Sequence, residues 1–310
     1  MNRIAIIDLG TNTFNLLIVE VNPDKTYQSL YHTKVSVKLG EGGINKGFIA
    51  LVPFQRGIEA LKYYKELIES YSAKKIYAFG TSALRDASNG KTFLDTAEQK
   101  TGIKIQTISG EREAELIYYG VRDAVKMNND LSLIIDIGGG STEFIIANKN
   151  EIKWKHSFLL GAARLLERFD PSDPISDKEM NELNDYIKQE LKLLFEAIEK
   201  YPVTELIGAS GSFDSFAEMI ACRFYTPDIL KNKTEYTFKL DDFAVIYKDI
   251  LKSTKEERSQ MKGLIAMRVD MIVISSIMVQ LVISSFKIKK MRLSSYSLKE
   301  GVLHELLHKL

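Results

Sequence analysis

The sequence contains two copies of one short unit, and this repeat constrains the fold more than any other feature. In the first copy an apolar run, Ile4–Ile7, ends on Asp8 and is followed by Gly10 and a second apolar run. The second copy starts at Leu133. Three matched pairs, each 128 residues apart (136 − 8), define the repeat: Asp8 and Asp136, Gly10 and Gly138, Thr13 and Ser141. A repeat of this length predicts two like domains that face each other across a cleft.

The second copy has the composition of an anion-binding hairpin. Its turn contains Gly138, Gly139 and Gly140, and successive main-chain N–H groups in such a turn form a concave anion site. The hydroxyls of Ser141 and Thr142 add donors. Two carboxylates flank this turn, Asp136 and Glu143, and they could hold a hard cation such as Mg²⁺ beside phosphate oxygens. A lone Gly-Gly-Gly motif would favour an ordinary hairpin, but the repeat favours a phosphate site.

Length and charge limit the classes of protein to be considered. A chain of 310 residues predicts about two domains. The formal net charge is +1, which gives a nucleic-acid role little support, so we expect no DNA partner. The longest uncharged run, residues 271–286, is shorter than the roughly 20 residues that span a bilayer, and we interpret it as a buried helix.

Cysteine usage and the N-terminus indicate the compartment. The single cysteine, Cys222, excludes an intramolecular disulfide and fits a reducing environment. We interpret it as a core or half-buried thiol. The N-terminus runs directly into the first apolar strand without a signal-peptide pattern. The sequence thus predicts a cytoplasmic protein with no membrane segment.

The order of elements predicts an α/β fold, with a first domain at residues 1–128 and a second at 129–310. The helix predicted at 297–310 could pack back on the first domain. A long helix is predicted at 176–201 from a capping signal, Ser176 followed by Glu179. Two further strands lead into loops that open helices, at 80–87 and at 208–213, and such positions commonly hold ligand contacts in α/β folds.

Several motifs in a fixed order then resemble one family. They read IAIIDLGTNTFNLLI, GTSALRDASNG, ISGEREAELIYYG, LIIDIGGGSTEFII, LIGASGSFDSF and SLKEGVL. The chain resembles, nearly end to end, the exopolyphosphatase / guanosine pentaphosphate phosphohydrolase (Ppx/GppA) family of the actin-like ATPase (ASKHA) superfamily. The resemblance implies two actin-like (ribonuclease H-like) domains with a cleft between them. It also implies Mg²⁺-dependent removal of a terminal phosphate from polyphosphate or pppGpp.

The resemblance also implies roles for individual residues. Glu113 matches the general base, and Arg85 matches an arginine that holds substrate phosphate. The first phosphate loop corresponds to Asp8, Gly10, Thr11, Asn12 and Thr13. The second corresponds to Asp136, Gly138, Gly139, Gly140, Ser141 and Glu143. A nucleoside-side turn corresponds to Gly208, Ser210 and Gly211.

Hydrolysis of a phosphoanhydride requires cradled oxygens, positive charge, an aimed water and a proton acceptor. The two hairpins and the turn at Thr81 and Ser82 would supply donors. Mg²⁺ on Asp8, Asp136 or Glu143, together with Arg85, would supply positive charge.

The sequence departs from the family at a few positions. Threonines replace the usual serines at 11 and 13, which keeps the hydroxyls. Asn15 stands where the family often has a basic residue, so one phosphate contact could be missing. Lys299 and Ser297 replace an arginine and a glycine. We expect no C-terminal HD-type domain of the kind that longer members carry, since the sequence contains no His-Asp dipeptide, and this expectation puts long-chain binding and processivity in doubt.

Some residues keep two interpretations. The acids at Glu111, Glu113 and Glu115 could simply complement a helix N-terminus, and the resemblance favours catalysis for Glu113 alone. Arg85 could also form a surface ion pair with Asp86 or a nearby acid. Arg268 and Asp270 form either a buried ion pair or a substrate contact. A zinc-protease-like HExxH pattern at 304–308 lies on an apolar helix without a third ligand, and we interpret that helix as structural.

Two other function classes stay open beside the phosphohydrolase. One is a polyphosphate- or alarmone-binding sensor without turnover, although a binding protein needs no general base. The other is an ATP-using kinase or ATPase of the same superfamily, for which the turn at 208–212 is the supporting feature. The sequence does not choose between polyphosphate and pppGpp. A homodimer is a further open expectation, because the apolar helix at 271–283 could serve an interface as well as a core.

Overall fold

A computed structural model describes residues 2–209 and 211–309. Eleven strands in this part of the chain form two sheets. The first sheet contains β1 Asn2–Leu9, β2 Thr13–Val21, β3 Tyr27–Ser36, β4 Lys75–Gly80 and β5 Ile105–Thr107. The second contains β6 Ser132–Ile137, β7 Thr142–Ala147, β8 Ile152–Phe158, β9 Glu205–Ala209, β10 Glu235–Phe238 and β11 Lys290–Ser294.

The two sheets have the same strand order. In the first sheet the order is β3-β2-β1-β4-β5, with an antiparallel β1–β2–β3 meander and β4 and β5 parallel to β1. In the second it is β8-β7-β6-β9-β11, with β10 added antiparallel at the edge. This duplicated arrangement agrees with the two like domains that the sequence repeat predicted, and it is the actin-like (ribonuclease H-like) topology that the family resemblance implied.

Twelve α-helices cover the described sheets. They are α1 Leu51–Ser70, α2 Ser82–Asp86, α3 Gly90–Thr101, α4 Gly110–Ala124, α5 Ala162–Phe169, α6 Asp177–Glu190, α7 Lys192–Lys200, α8 Gly211–Phe224, α9 Leu240–Lys252, α10 Lys255–Ser259, α11 Ile272–Ser285 and α12 Leu298–Lys309. Short 3₁₀ helices lie at Ile44–Lys46, Pro227–Leu230 and Ala266–Arg268.

Three hydrophobic clusters show how the layers stack. One packs α1 and α3 on the outer face of the first sheet, and another packs α5 to α9 and α11 on the outer face of the second. The third joins residues of both sheets to α4 and α12. The helix pair α4 and α12 therefore lies between the two sheets and belongs to the core of both.

Two glycines allow α4 and α12 to approach closely. A Cβ at Gly301 would overlap the carbonyl of Leu116, and a Cβ at Gly120 would overlap the carbonyl of Ser297. Ser297 immediately precedes α12 and donates a hydrogen bond to Asp136 of β6. The C-terminal helix therefore packs on α4 and β1 while its start contacts the second sheet. The proposed boundary between residues 128 and 129 stays a prediction.

One helix prediction was wrong. The single helix expected at 176–201 is two helices, α6 and α7, that meet at Leu191. The capping box at Ser176 and Glu179 is present as predicted. The uncharged run at 271–286 forms α11, most of whose residues are buried, which confirms that interpretation. No helix among the described residues is long and apolar enough to cross a membrane.

Candidate active site

Two turns of nearly identical geometry form the floor of the cleft between the domains. In the first, the Gly10 N–H donates to the Thr13 carbonyl at 3.1 Å. In the second, the Gly138 N–H donates to the Ser141 carbonyl at 3.0 Å. Each turn connects the first two strands of its sheet, so the sequence repeat is also a repeat of backbone geometry.

Glycine lets the two turns touch. A Cβ at Gly139 would lie 3.2 Å from the Asn12 nitrogen, and a Cβ at Gly140 would lie 2.5 Å from Thr11 Oγ1. The Gly139 Cβ would thus be tighter against backbone than ordinary contacts allow. The short, bare backbone brings the N–H groups of both turns into one small volume.

The carbonyl and N–H groups of these turns have different partners. The N–H groups of Ala162 and Ala163 at the start of α5 donate to the Gly138 and Gly139 carbonyls at 2.9 and 3.0 Å. Four residues that line the cleft, Thr11, Asn12, Gly139 and Gly140, have main-chain N–H groups that form no hydrogen bond with another described residue. Unpaired N–H groups gathered in this way bind anions.

Glu113 lies at the same cleft, in the first turn of α4. The Ser109 side chain caps this helix by accepting from the Arg112 N–H at 3.2 Å. Glu113 is 7% exposed, and its carboxylate lies 3.2 Å from the nearer Nη of Arg85. Burial raises the pKa of Glu113 well above its usual value, and the nearby Glu143 charge adds to this, while Arg85 opposes it. Arg85 also donates to the Ile108 carbonyl at 3.1 Å.

Three more carboxylates line the cleft. Asp8 accepts from Asn15 at 3.0 Å, Glu143 accepts from Ser157 at 2.6 Å, and Asp136 accepts from Ser297. Burial raises the pKa of both Asp8 and Glu143 to about 7. Carboxylates crowded in a buried site disfavour each other's charged forms, and a bound cation would relieve that cost.

The oxygen ligands fit Mg²⁺ in part. Asp8, Asp136 and Glu143 all line the cleft and offer the hard oxygen donors that this ion prefers. Within residues 2–209 and 211–309, however, no three side chains of the His, Cys, Asp and Glu types are grouped closely enough to hold a metal by themselves. Mg²⁺ characteristically binds one or two carboxylates plus waters and substrate phosphates, so two of these three residues would suffice.

Cationic side chains also line the cleft. They are Lys34 of β3, Lys299 of α12 and Arg268, with Asp214 of α8 among them. The Nε of Arg268 is buried without a hydrogen-bond partner in the described structure. Burial raises the pKa of Asp214 to about 6. Of the two interpretations of Arg268, the structure favours the cleft contact.

Asp270 lies outside this cleft. Its carboxylate pairs with Lys38 at 3.0 Å and with Lys255 at 2.6 Å. Arg268 and Asp270 therefore do not form the buried ion pair that the sequence left open.

The structure brings most of the predicted residues together. The cleft has a cavity volume of about 160 Å³ and is lined by these members of the predicted set: Asp8, Gly10, Thr11, Asn12, Thr13, Thr81, Glu113, Asp136, Gly138, Gly139, Gly140, Ser141, Glu143 and Gly211. Arg85 reaches it through its ion pair with Glu113. Their roles in catalysis stay predictions.

Other predicted residues lie elsewhere. The Thr142 hydroxyl donates to the Leu160 carbonyl at 2.9 Å and is fully buried, so it adds no donor to the cleft. Gly208 lies within β9, where a Cβ would overlap the Phe213 ring. The Ser82 hydroxyl donates to Asp86 at 2.9 Å behind the Gly140 turn. Ser210 lies outside the described residues.

The HExxH pattern on α12 makes local contacts. His304 Nδ1 lies 2.7 Å from the Asp123 carboxylate, and the His304 ring stacks on the His308 ring with centroids 4.0 Å apart. The His304 ring also stacks on Tyr119 at 5.2 Å. The contacts of His304 with Asp123 and Tyr119 join α12 to α4, in keeping with a structural helix.

Sequence reasoning missed several side chains at the cleft as site residues, and three of them show why. Lys34 lies in a strand without a motif, and only its pairing with Asn15 across β2 and β3 places it there. Asp214 follows the turn at 208–212 and could have been found as the first carboxylate of α8. Ser297 was noted only as a departure from the family, whereas the structure bonds it to Asp136.

Comparison with known proteins identifies the family. The family model described as the Ppx/GppA phosphatase family matches residues 17–310. A curated relative from Mycobacterium tuberculosis, described as Exopolyphosphatase 1, is 25% identical over 97% of this chain and 87% of its own length. A bifunctional 3-dehydroquinate synthase/phosphatase from Fusobacterium nucleatum is 36% identical over 67% of this chain. The matched region spans only 32% of that longer protein.

Solved structures agree with this assignment. An exopolyphosphatase from Cytophaga hutchinsonii superposes with a TM-score of 0.95 at 40% identity, over 99% of this chain and 98% of its own. A Ppx/GppA family member from Aquifex aeolicus superposes with a TM-score of 0.80 at 23% identity, over 99% and 98% of the two chains. The second likeness concerns the fold alone. By its family match, its fold and its relatives, this chain belongs to the Ppx/GppA phosphatase family.

Proposed function

We propose that this protein is a Mg²⁺-dependent phosphohydrolase that releases the terminal phosphate of inorganic polyphosphate, with pppGpp as the second candidate substrate. Family membership supports a phosphatase, and two similar proteins are described as exopolyphosphatases. Both substrates end in a phosphoanhydride, so the same cleft chemistry would serve either.

One observation carries this proposal. The four turn residues whose N–H groups form no hydrogen bond with another described residue line the same cleft as the buried Glu113. Such donors suit the oxygens of a terminal phosphoryl group, because they offer hydrogen bonds without a protein acceptor to compete. A carboxylate beside these donors would repel a bound anion, so a protein that only binds anions would gain nothing from it. The presence of Glu113 therefore supports catalysis.

The roles of the residues follow from this geometry. Glu113 would accept a proton from the attacking water, and the burial that raises its pKa makes it a stronger base than an exposed carboxylate. Arg85 orients the Glu113 carboxylate through their 3.2 Å contact and can extend its planar guanidinium toward phosphate oxygens. Bound Mg²⁺ would supply positive charge to the phosphate oxygens, held by two of Asp8, Asp136 and Glu143.

Phosphate release by the purified protein tests the proposal. Long polyphosphate, tripolyphosphate, pppGpp and ATP would be compared with Mg²⁺ and with excess chelator, each beside Glu113→Gln. Mg²⁺-dependent release from polyphosphate that disappears in the variant would support an exopolyphosphatase. A preference for pppGpp would instead identify an alarmone phosphatase.

Two outcomes would contradict the proposal. Tight binding of polyphosphate without release would indicate the sensor, and phosphate transfer from ATP to an acceptor would indicate the kinase.

The mass of the purified protein in solution would test the expected homodimer. A cytoplasmic location is part of the same proposal and would be tested by fractionation.

A further inference from the structure

Lys34 lies on the side of the cleft away from Glu113. In the first sheet the strand order is β3-β2-β1-β4-β5, so Lys34 on β3 and Arg85 after β4 lie on opposite sides of Asp8 on β1. Strand pairing places Asn15 directly between Asp8 and Lys34. Paired residues point to the same face of a sheet, and Lys34 therefore stands two strands, about 10 Å, from Asp8 on the cleft face.

In an in-line displacement at phosphorus, the attacking water and the leaving group lie on opposite sides of the phosphoryl group, which gives the Lys34 side of the cleft a role. The water activated by Glu113 must attack from the Glu113 and Arg85 side, so the bond to the leaving group must point the opposite way. The terminal phosphoryl group would lie at the N–H groups of the two turns. The remaining phosphoryl groups would then extend toward the β3 side of the cleft, where Lys34 lies.

The ammonium group of Lys34 is available for such a ligand. It has no hydrogen bond and no ion pair within 4 Å in the part of the chain that the structure describes. By contrast, the neighbouring Lys299 pairs with Glu300 at 2.9 Å. Half-burial in the cleft lowers the pKa of Lys34, with the charge of Asp214 acting against this effect. A half-buried cation without a close counter-ion is costly, and an arriving polyanion would offset that cost.

On the basis of the proposed phosphohydrolase function, we propose that Lys34 binds the leaving phosphoryl groups of the substrate and so favours substrates with several linked phosphates over orthophosphate. Arg268 faces the same end of the cleft from the second domain, and Asp214 is the acid between them. His32 lies two residues before Lys34 on the same face of β3, at the exposed mouth. Lys34 is the specificity-determining residue in this arrangement.

Four proteins test this inference: the wild type, Lys34→Gln, Lys34→Arg and the control Lys75→Gln. Lys75 is an exposed lysine at the far end of β4, so its substitution removes the same charge from the same sheet. We expect Lys34→Gln to raise the KM for tripolyphosphate by about 10- to 100-fold, the range for losing a hydrogen bond to a charged group. The kcat should change little, because the contact exists in both ground and transition states. Lys34→Arg should restore most of the affinity.

Calorimetry separates this inference from the proposed function. Tripolyphosphate and orthophosphate would be titrated into each protein in a Glu113→Gln background, where turnover is blocked. The inference predicts weaker tripolyphosphate binding in Lys34→Gln with unchanged orthophosphate binding. An unchanged tripolyphosphate affinity, or an equal loss for both ligands, would overturn it. A wild type that binds tripolyphosphate but releases no phosphate would contradict the proposed function and leave the Lys34 inference standing.

Discussion

Asn15 and Glu143 occupy the same position in the two repeated hairpins, but only Glu143 is an ionisable acid. Asn15 lies opposite Asp8 in the β1–β2 pair, and Glu143 lies opposite Asp136 in the β6–β7 pair. Asn15 donates to Asp8 at 3.0 Å, whereas Glu143 is a second acid beside Asp136. The two halves of the cleft are thus alike in backbone and unlike in charge, and the second hairpin is where a cation would be most needed.

Because of this difference, we expect Glu143 to lower the free energy of unfolding when no Mg²⁺ is bound. A carboxyl whose pKa is raised on folding destabilises the protein above its ordinary pKa, and this cost fades as the pH falls. We expect Glu143→Gln to be more stable than wild type at pH 8 by about 1–3 kcal/mol, measured by thermal unfolding in chelator. The variant should also show a smaller Mg²⁺-dependent increase in melting temperature. The exposed Glu199→Gln is the control and should match wild type.

The general-base role of Glu113 can be separated from a helix-dipole role. Glu111 and Glu113 both lie in the first turn of α4, but Glu111 is exposed and contacts His156. We expect Glu113→Gln to lower kcat by about 10²- to 10⁴-fold with little change in substrate affinity. Glu111→Gln changes the same helix charge and should leave kcat near wild type. Equal losses in the two variants would contradict a specific role for Glu113.

Arg164 joins the two domains beside the phosphate turn. Its Nε donates to the Gly140 carbonyl at 2.9 Å and one Nη donates to the Ile44 carbonyl at 3.1 Å. We expect Arg164→Ala to free the 40–48 loop and to speed its amide hydrogen exchange by about tenfold, since roughly 1.4 kcal/mol of local stability corresponds to that factor. Arg168→Ala, one turn later, removes an exposed contact with Tyr186 and should leave that loop unchanged.

We expect the contribution of Glu205 to the free energy of unfolding to depend on pH in the acid range. Its carboxylate pairs with Arg292 at 2.8 Å, and the hydrogen bonds from Arg292 and Ser132 hold the pKa of Glu205 below its usual value despite burial. This contribution is therefore complete above the ordinary value of 4.5 and is lost as the pH falls through the lowered pKa. Glu205→Gln should lose about 2 kcal/mol in urea unfolding at pH 7, and the deficit should shrink below about pH 4. A deficit independent of pH would point to packing instead.

Gly301 tests the close helix crossing. Because a Cβ there would overlap the Leu116 carbonyl, Gly301→Ala must push α12 away from α4. We expect a loss of about 1–3 kcal/mol, typical of overpacking, in thermal unfolding. Phosphate release should fall too, since Ser297 at the start of α12 bonds to Asp136. Wild-type stability in the variant would show that the helices separate at no cost.

Features that are local in the sequence could be predicted, whereas features that depend on distant contacts could not. Both hairpins were predicted because their apolar runs and turns are local features of the sequence. The break at Leu191 was missed because neither glycine nor proline marks it. Lys34 and Ser297 were missed as site residues for another reason. Their places depend on pairing between β2 and β3 and on a contact spanning 161 residues, and neither leaves a local pattern.

The position of α12 has a consequence for biosynthesis. The first sheet is complete once residue 107 has been made, but the apolar layer over its inner face needs α12, which begins at Leu298. A nascent chain that has emerged only through α4 therefore exposes part of that face to solvent. The N-terminal half must wait for the C-terminal helix before it reaches its final stability, and the two halves should unfold and refold as one cooperative unit rather than as independent modules.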